Sequence, residues 1–235
     1  ILTTIIVGVG LAKLLGLQKR FGALTGGSVA ICGASAALAI STILPKGENH
    51  ERDTLLTVIG VTAMSTIAMV LYPIVAAQLG MNDTEAGIFL GGTIHDVAQV
   101  VGAGYSVSDS AGDMATLTKL VRVAMLMPVV LIMMIAIKHF YKAKSQADGA
   151  QVPKMPMFLV GFIVLMLLNS FVTLPEVVIE TGTQISRFFL VVSITAIGMK
   201  SNLGKLAEVG MLPIVMIVAE TLWIALLILG YLFAI

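Results

Sequence analysis

The chain has 235 residues, of which 58% are hydrophobic and 11% are charged, and its formal net charge is +1. The mean hydropathy of +1.03 excludes an ordinary soluble domain, in which about a quarter of the residues are charged. No basic stretch is interleaved with aromatic residues, so nucleic acid is not an expected partner. The single cysteine, Cys32, excludes an internal disulfide and is interpreted as a packing residue.

Long apolar segments follow one another along the chain, separated by short polar connections. A membrane-spanning helix needs about 20 mostly apolar residues, and most of these segments have about that length. They cover residues 1–17, 22–44, 54–79, 85–104, 116–138, 156–174, 185–199 and 208–235. The sequence therefore predicts an all-α, polytopic membrane helix bundle with a single transmembrane domain over residues 1–235.

The chain begins at Ile1 and enters an apolar segment at once. No cleavage-site pattern follows, so segment 1–17 is predicted to be a transmembrane helix and not a signal peptide. We expect further N-terminal spans to precede it. Lysines and arginines fall on one side of the predicted bundle, which the positive-inside rule makes the cytoplasmic side. These residues are Lys19, Arg20, Lys138, Lys142, Lys144, Lys154, Lys200 and Lys205.

Two segments contain a pair of glycines followed by a hydroxyl residue, which predicts a break in each helix. Irregular backbone at membrane depth lies against protein or lines an aqueous cavity. Each break would create a half-helix N-terminus whose N–H groups favour an anion, with the hydroxyl residue as N-cap or ligand contact. Close helix packing through small residues is the alternative. The residues are Gly26, Gly27 and Ser28, and Gly91, Gly92 and Thr93.

The charge pattern does not decide whether segments 22–44 and 85–104 cross the membrane or turn back within it. As crossing helices they would run in the same direction. As re-entrant hairpins they would enter from opposite faces and meet near the midplane, as inverted elements do in many transporters. Acidic residues count little in the orientation rule, so the acidic connection 82–85 does not exclude the hairpins, which are preferred.

Three polar residues follow the second glycine pair, and at membrane depth such residues are retained mainly to handle ions or substrates. A helical continuation would place His95 and Gln99 on one face, with Asp96 about 100° away. We expect Gln99 to contact the substrate and His95 and Asp96 to change protonation as coupling residues. The alternative is a hydrogen-bonded pair that seals the break. No second His or Cys lies at ligand spacing, so a metal is not expected.

Three further charged residues lie within apolar segments. Lys119 and Arg122 are three apart and share a helical face, where they would attract an anion or pair with Asp96; snorkelling to the interface is the alternative. Glu220 lies in the middle of the last segment, where a lone carboxyl is neutral or paired. It is interpreted as a coupling residue, with a hydrogen bond to another helix as the alternative.

Motifs of soluble enzymes are missing from the sequence: it has no Walker loop, dinucleotide fingerprint or GxSxG elbow. We therefore expect neither enzymatic activity nor a cofactor. An intramembrane protease would need a paired nucleophile and base, and Ser28 or Ser35 with distant His95 supports one poorly.

The stretches GGSVAICGASAALA, GGTIHDVAQVVGAG and TKLVRVAMLMP resemble the YeiH-type family of proposed sulfate exporters in bacterial inner membranes. The resemblance covers nearly the whole chain, including PMFLVGFIVLMLLNS and TAIGMKSNL. HDVAQVV is its most specific part, with Asp96 where the family often has a glutamate. The residues that carry the pattern are Ser28, Cys32, Gly33, Gly92, Thr93, His95, Asp96, Gln99, Lys119 and Arg122.

The resemblance implies a secondary transporter related to cation/proton antiporters and to bile-acid and citrate symporters, and it implies further N-terminal helices. Family members are proposed to export sulfate or small organosulfonates. We therefore predict alternating-access export of a small anion, sulfate or sulfonate-like, coupled to H+ or Na+, in the bacterial inner membrane. The lipid bilayer and a second copy in a homodimer are the other expected partners. A cation/proton antiporter using Asp96 and a passive anion channel are the alternatives.

Overall fold

The computed structural model describes residues 1–45, 49–148, 175–182 and 211–234, together with separate positions between 161 and 192. Every regular element in this part of the chain is an α-helix, as predicted. Three helical stretches are long and apolar enough to cross a membrane, namely His50–Gln78, Asp109–Ile137 and Leu212–Ala234. The predicted segments 156–174 and 185–199 lie mostly outside the described residues.

The helices are numbered here in chain order. They are α1 (Leu2–Leu14), α2 (Lys19–Ala30), α3 (Ala34–Ile43), α4 (His50–Gln78), α5 (Asp83–Thr93), α6 (Val97–Tyr105), α7 (Asp109–Ala124), α8 (Leu126–Asp148) and α9 (Leu212–Ala234). Local signals set several helix starts. Asn82 and Glu85 form a capping box at α5, and the Ser108 hydroxyl caps α7 by accepting from the N–H of Ala111.

Helices α2 and α3 form a hairpin. Gly33, with φ +66°, occupies the turn between them, a conformation that glycine adopts without strain. Gly27 on α2 lies directly against the side chain of Ile40 on α3. Near the open end, Ala23 on α2 and Leu44 after α3 line one cavity of about 680 Å³. The return arm therefore packs back along the entering arm.

Helices α5 and α6 form a second hairpin, as their contacts with α4 show. Backbone N–H groups at the break between them donate to Ser65 on α4. Further along α4, Met69 lies beside Gly102 of α6, and the rings of Tyr72 and Phe89 of α5 are 5.2 Å apart. Both arms thus run from the break towards the end of α4.

The two hairpins enter from opposite ends of α4. The turn 16–18 before α2 shares a cavity of about 220 Å³ with Asn49 and Arg52 at the start of α4, whereas α5 follows the end of α4. Their tips meet between these ends, where a Cβ on Gly33 would lie 3.4 Å from the Cβ of His95. Segments 22–44 and 85–104 thus form hairpins, as the preferred interpretation expects. That both return to the side of the membrane from which they enter stays a prediction.

Helix α9 runs beside both hairpins and parallel to α4. Pro213 lines the cavity at the start of α4, and Ile217 packs against Gly60 further along. Beyond the middle of α9, Ile228 packs against Gly92 on α5. The first half of α9 thus lies near α2, and its second half lies near α5.

Candidate functional site

Both helix breaks begin within four residues after the glycine pairs. Helix α2 continues through Gly26 and Gly27 to Ala30, and α5 continues through Gly91 and Gly92. The residues outside regular helix are 31–33 and 94–96. The prediction that the chain breaks at the glycine pairs is therefore wrong, although it selected the correct two segments.

The glycine pairs allow close packing, which was the alternative interpretation. A Cβ at Gly26 would lie 2.9 Å from the carbonyl oxygen of Thr4 on α1, and one at Gly91 would clash with the carbonyl oxygen of Ala115 on α7. Gly27 packs against Ile40, as described above, and Gly92 packs against α9. Small residues permit such approaches between membrane helices. Contact between these glycines and a substrate stays a prediction.

Ser28 and Thr93 are not N-caps. Both lie in the last turn of an entering arm and are 0% exposed. The Ser28 hydroxyl donates to the carbonyl oxygen of Leu24, and that of Thr93 donates to the carbonyl oxygen of Phe89 at 2.6 Å. Hydroxyl residues within helices often bond backward in this way. The N-cap prediction is therefore wrong, because helix N-termini occur only after the breaks, at α3 and α6.

The Lys119 ammonium joins the tips of both hairpins. Its Nζ donates to the carbonyl oxygen of Ile31 at 2.8 Å and to that of Ile94 at 3.0 Å. Lys119 is 0% exposed, which excludes snorkelling to the interface. Because the C-terminus of a helix carries partial negative charge, one cation stabilises the ends of both entering arms.

Arg122 makes the same kind of contact one turn later on α7. On the first hairpin its Nη2 donates to the carbonyl oxygen of Val29 at 2.8 Å, and its Nε donates to that of Ala30 at 3.1 Å. On the second, Nη1 donates to the carbonyl oxygens of Gly91 and Ile94 at 3.1 and 3.3 Å. The guanidinium, with its fixed fork of donors, thus fastens the hairpins together.

His95 lies within the second break and not on α6. Its side chain is 0% exposed, and its Nε2 is 3.1 Å from the hydroxyl oxygen of Thr221 on α9. Its Nδ1 has no hydrogen-bond partner among the described residues. The prediction that His95 and Gln99 share a helical face is wrong, because helix α6 begins only at Val97.

Asp96 is the N-cap of α6, which accounts for an acidic residue at this position. Its Oδ1 accepts from the N–H of Gln99 at 3.2 Å, and its own N–H donates to the Ser65 hydroxyl at 2.9 Å. The Gln99 side chain is partly exposed and donates from Nε2 to the Thr66 hydroxyl at 3.0 Å. Its Oε1 has no partner among the described residues.

Glu220 is hydrogen-bonded to another helix, as its alternative interpretation stated. Its carboxyl Oε1 accepts from the hydroxyl of Thr25 on α2 at 2.9 Å, and the residue is 0% exposed. A coupling role for Glu220 stays a prediction. In the described residues, no group of three or more His, Cys, Asp or Glu side chains is arranged to hold a metal ion.

Sequence reasoning missed three hydroxyl residues that bind the polar groups of this site. They are Thr25 at Glu220, Ser65 at the second break and Thr221 at His95. Each lies inside an apolar segment, where a hydroxyl residue ordinarily satisfies itself on its own helix. The only available signal was the adjacency of Thr221 to Glu220 in the sequence.

The C-terminal (carbonyl) and N-terminal (amide) helix ends at the breaks lie in different surroundings. The carbonyl ends of α2 and α5 are buried against Lys119 and Arg122, whereas Ser35 near the start of α3 and Ala98 near the start of α6 are exposed. Amide ends favour anions. The arrangement therefore places two buried cations at the joined tips, close to the exposed starts of α3 and α6.

The fold and this site define the class: an α-helical membrane protein with two opposed hairpins joined by buried cations. The chain belongs to the family described as conserved hypothetical protein 698, whose model matches residues 1–217. Its relatives are UPF0324 membrane proteins, and the family resemblance predicted from the sequence is confirmed.

The chain is 51% identical over 233 residues to a UPF0324 membrane protein of Chlorobaculum tepidum, covering 98% of this chain and 64% of that protein. It is 49% identical over 226 residues to the UPF0324 membrane protein TauZ of Paracoccus pantotrophus. It is 50% identical over 225 residues to TauZ of Paracoccus denitrificans. Both matches cover 96% of this chain and 66% of the relative. The chain thus spans just under two thirds of these relatives. No solved structure matches it significantly.

Proposed function

We propose that this chain forms part of a secondary transporter that exports a small anion, sulfate or sulfonate-like, by alternating access. The observation that carries the proposal is the meeting of two opposed hairpins at Lys119 and Arg122. In many transporters, interrupted helices form the substrate site near the midplane, and rocking of one half against the other opens it alternately to each side. The protein would act as a multi-pass inner-membrane transporter and not as an enzyme.

The charge at the hairpin tips favours an anion over a cation. Neither Lys119 nor Arg122 forms an ion pair with a carboxylate among the described residues. The ion pair found there is between Arg52 and Asp53 at the start of α4. Each helix C-terminus is equivalent to roughly −0.5 charge, so the two entering arms offset about one of the two positive charges. The N-termini of α3 and α6 add about +0.5 each, which Asp96 offsets. About one positive charge is left to attract an anion.

Gln99 is the proposed side-chain contact of the substrate. It lies partly exposed in the first turn of α6, with a side-chain amide that can donate to an anion beside the capped helix end. Lys119 and Arg122 would act mainly through their charge, because their N–H groups already bind backbone carbonyls. His95, Asp96 and Glu220 are the proposed coupling residues, with H+ or Na+ as the coupling ion.

The alternative of a cation/proton antiporter that binds its ion at Asp96 has less support. The Asp96 carboxylate caps α6, and removing it from that position would leave a helix N-terminus without its cap. The surplus positive charge at the tips also opposes a bound cation. Nothing in the described residues favours a passive channel.

Reconstitution of the full-length protein into proteoliposomes tests the proposal. With unlabelled sulfate or an alkyl sulfonate inside, labelled sulfate outside should enter by counterflow at a rate that saturates with its concentration. Ohmic currents without counterflow would support a channel, and sodium-dependent proton movement without any anion would support an antiporter. Either result would overturn the proposal.

A further inference from the structure

One turn of α9 contacts both hairpins. Glu220 accepts from Thr25 on α2, the entering arm of the first hairpin. The next residue, Thr221, contacts His95 at the tip of the second hairpin. Successive residues of a helix point about 100° apart, so these neighbours face different partners. A change at Glu220 would therefore alter the position of α9 relative to one hairpin while the other contact persists.

The Glu220 carboxyl of α9 is buried against α1 and α2. Its Oε2 has no hydrogen-bond partner among the described residues, and neither has the hydroxyl of Thr4 on α1. Thr4 is 1% exposed. Gly8, one turn later on α1, comes so close that an added Cβ would lie 2.5 Å from Glu220 Oε1. The carboxyl therefore lies against the backbone of α1, with no room for a larger side chain at Gly8.

No charge compensates Glu220 in the described structure. Gly8 of α1 lies against its carboxyl, and Thr25 of α2 donates a hydrogen bond to it. The titratable group that contacts the same turn of α9 is His95 of the second hairpin, through Thr221. The charged residues of the packed helices lie towards their ends. They are Lys13 on α1, Lys19 and Arg20 on α2, Glu51, Arg52 and Asp53 on α4, and Asp83 and Glu85 on α5.

We propose that Glu220 binds the coupling proton and that Thr25 holds the protonated carboxyl in place. This inference rests on the proposed transport function. A buried carboxyl without a cation remains neutral. Releasing its proton to water leaves a buried carboxylate that the single Thr25 hydroxyl does not satisfy, so water must enter around Glu220 and α9 moves away from α2. Uptake of a proton from the other side restores the packing.

Asp96 and His95 fit this role less well. The Asp96 carboxylate is partly exposed and already accepts the N–H of Gln99 as a helix cap. His95 is buried on the side of the tips that holds Lys119 and Arg122, whose positive charges disfavour a third. Glu220 is the coupling candidate whose charge requires the helices to move.

Infrared difference spectroscopy of the full-length protein in lipid tests this assignment without any transport measurement. At neutral pH, the wild type should show the C=O band of a protonated carboxyl, which is lost in Glu220→Gln and shifted in Thr25→Val. Glu85→Gln, at the exposed start of α5, is the control and should remove carboxylate bands instead. Loss of carboxylate bands in Glu220→Gln would overturn the proposal.

Transport in proteoliposomes tests the coupling itself. The wild type should accelerate anion flux when a pH gradient is imposed, and Glu220→Gln should lose that acceleration while Glu85→Gln keeps it. Persistent acceleration in Glu220→Gln would contradict the assignment. Absence of any anion flux in the wild type would instead refute the proposed function, and the infrared spectra would still decide whether Glu220 holds a proton.

Discussion

At the scale of single residues, the charged and polar groups at the tips mainly complete the hydrogen bonding of interrupted helices. A helix that ends inside a bundle leaves carbonyl groups without intrahelical partners. Lys119 and Arg122 supply those partners for α2 and α5 together. Their positive charge is thereby fixed between the hairpins, where an anion would be attracted.

Replacement of Lys119 by methionine should destabilise the protein strongly. A buried carbonyl that loses its partner costs about 1–3 kcal/mol. The Ile31 carbonyl would lose the Lys119 donor, whereas the Ile94 carbonyl would keep Arg122. Thermal unfolding of the purified protein in detergent measures the effect. Lys13→Met, at an exposed site on α1, is the matched control, and equal melting temperatures of the two variants would contradict the prediction.

Substitutions of Asp96 separate its capping role from its charge. Asparagine caps a helix about as well as aspartate, whereas alanine costs about 0.5–2 kcal/mol. We therefore expect Asp96→Asn to unfold at nearly the wild-type temperature and Asp96→Ala to unfold clearly lower. If Asp96→Asn were as unstable as Asp96→Ala, the negative charge and not the cap would be what stabilises α6.

At the scale of elements, the hairpins depend on positions where helices touch without intervening side chains. Gly91 meets the backbone of α7, and Gly92 meets only the flexible side chain of Ile228, at 3.2 Å from an added Cβ. Gly91→Ala should therefore cost about 1–3 kcal/mol through overpacking, and Gly92→Ala should cost much less. Unfolding measurements on both variants check this order, and a reversed order would refute the packing described for α5.

The sequence predicted which segments are interrupted but not where. The glycine pairs at Gly26 and Gly91 marked the correct helices, because α2 and α5 both pack closely against neighbouring helices and end at the breaks. The breaks themselves follow from a glycine with positive φ at Gly33 and from the cap at Asp96, two short signals that many unbroken sequences also contain. Which carbonyls Lys119 would bind could not be predicted, because that depends on how two distant hairpins meet.

The hairpin arrangement makes a direct prediction about sidedness. Because α6 returns along α5, Thr84 at the start of the second hairpin and Ser110 just after it should lie on the same side of the membrane. Single cysteines at these exposed positions, introduced as Thr84→Cys and Ser110→Cys in a background without other reactive cysteines, should react alike with an impermeant maleimide added to intact cells. Labelling from opposite sides would show that segment 85–104 crosses the membrane.

At the scale of the whole molecule, α4 and α9 run past both hairpins, and α7 joins them through its two cations. The all-α membrane class followed from composition and segment length, because neither depends on the residue at which each helix ends. The contacts of α9 did not follow, because Glu220 and Thr221 gave no sequence signal for the helices they face. The anion preference comes from the summed charge at the tips, which only the assembled structure reveals.

Equilibrium binding of labelled sulfate to the purified full-length protein tests the central claim most directly. Gln99→Glu keeps the shape of the side chain but places a negative charge at the amide end of α6, and Gln78→Glu makes the same change at the exposed end of α4. We predict saturable sulfate binding in the wild type and in Gln78→Glu, and affinity at least about tenfold weaker in Gln99→Glu, equivalent to about 1.4 kcal/mol. Equal affinity in all three proteins, or no binding in the wild type, would contradict an anion site between the hairpins.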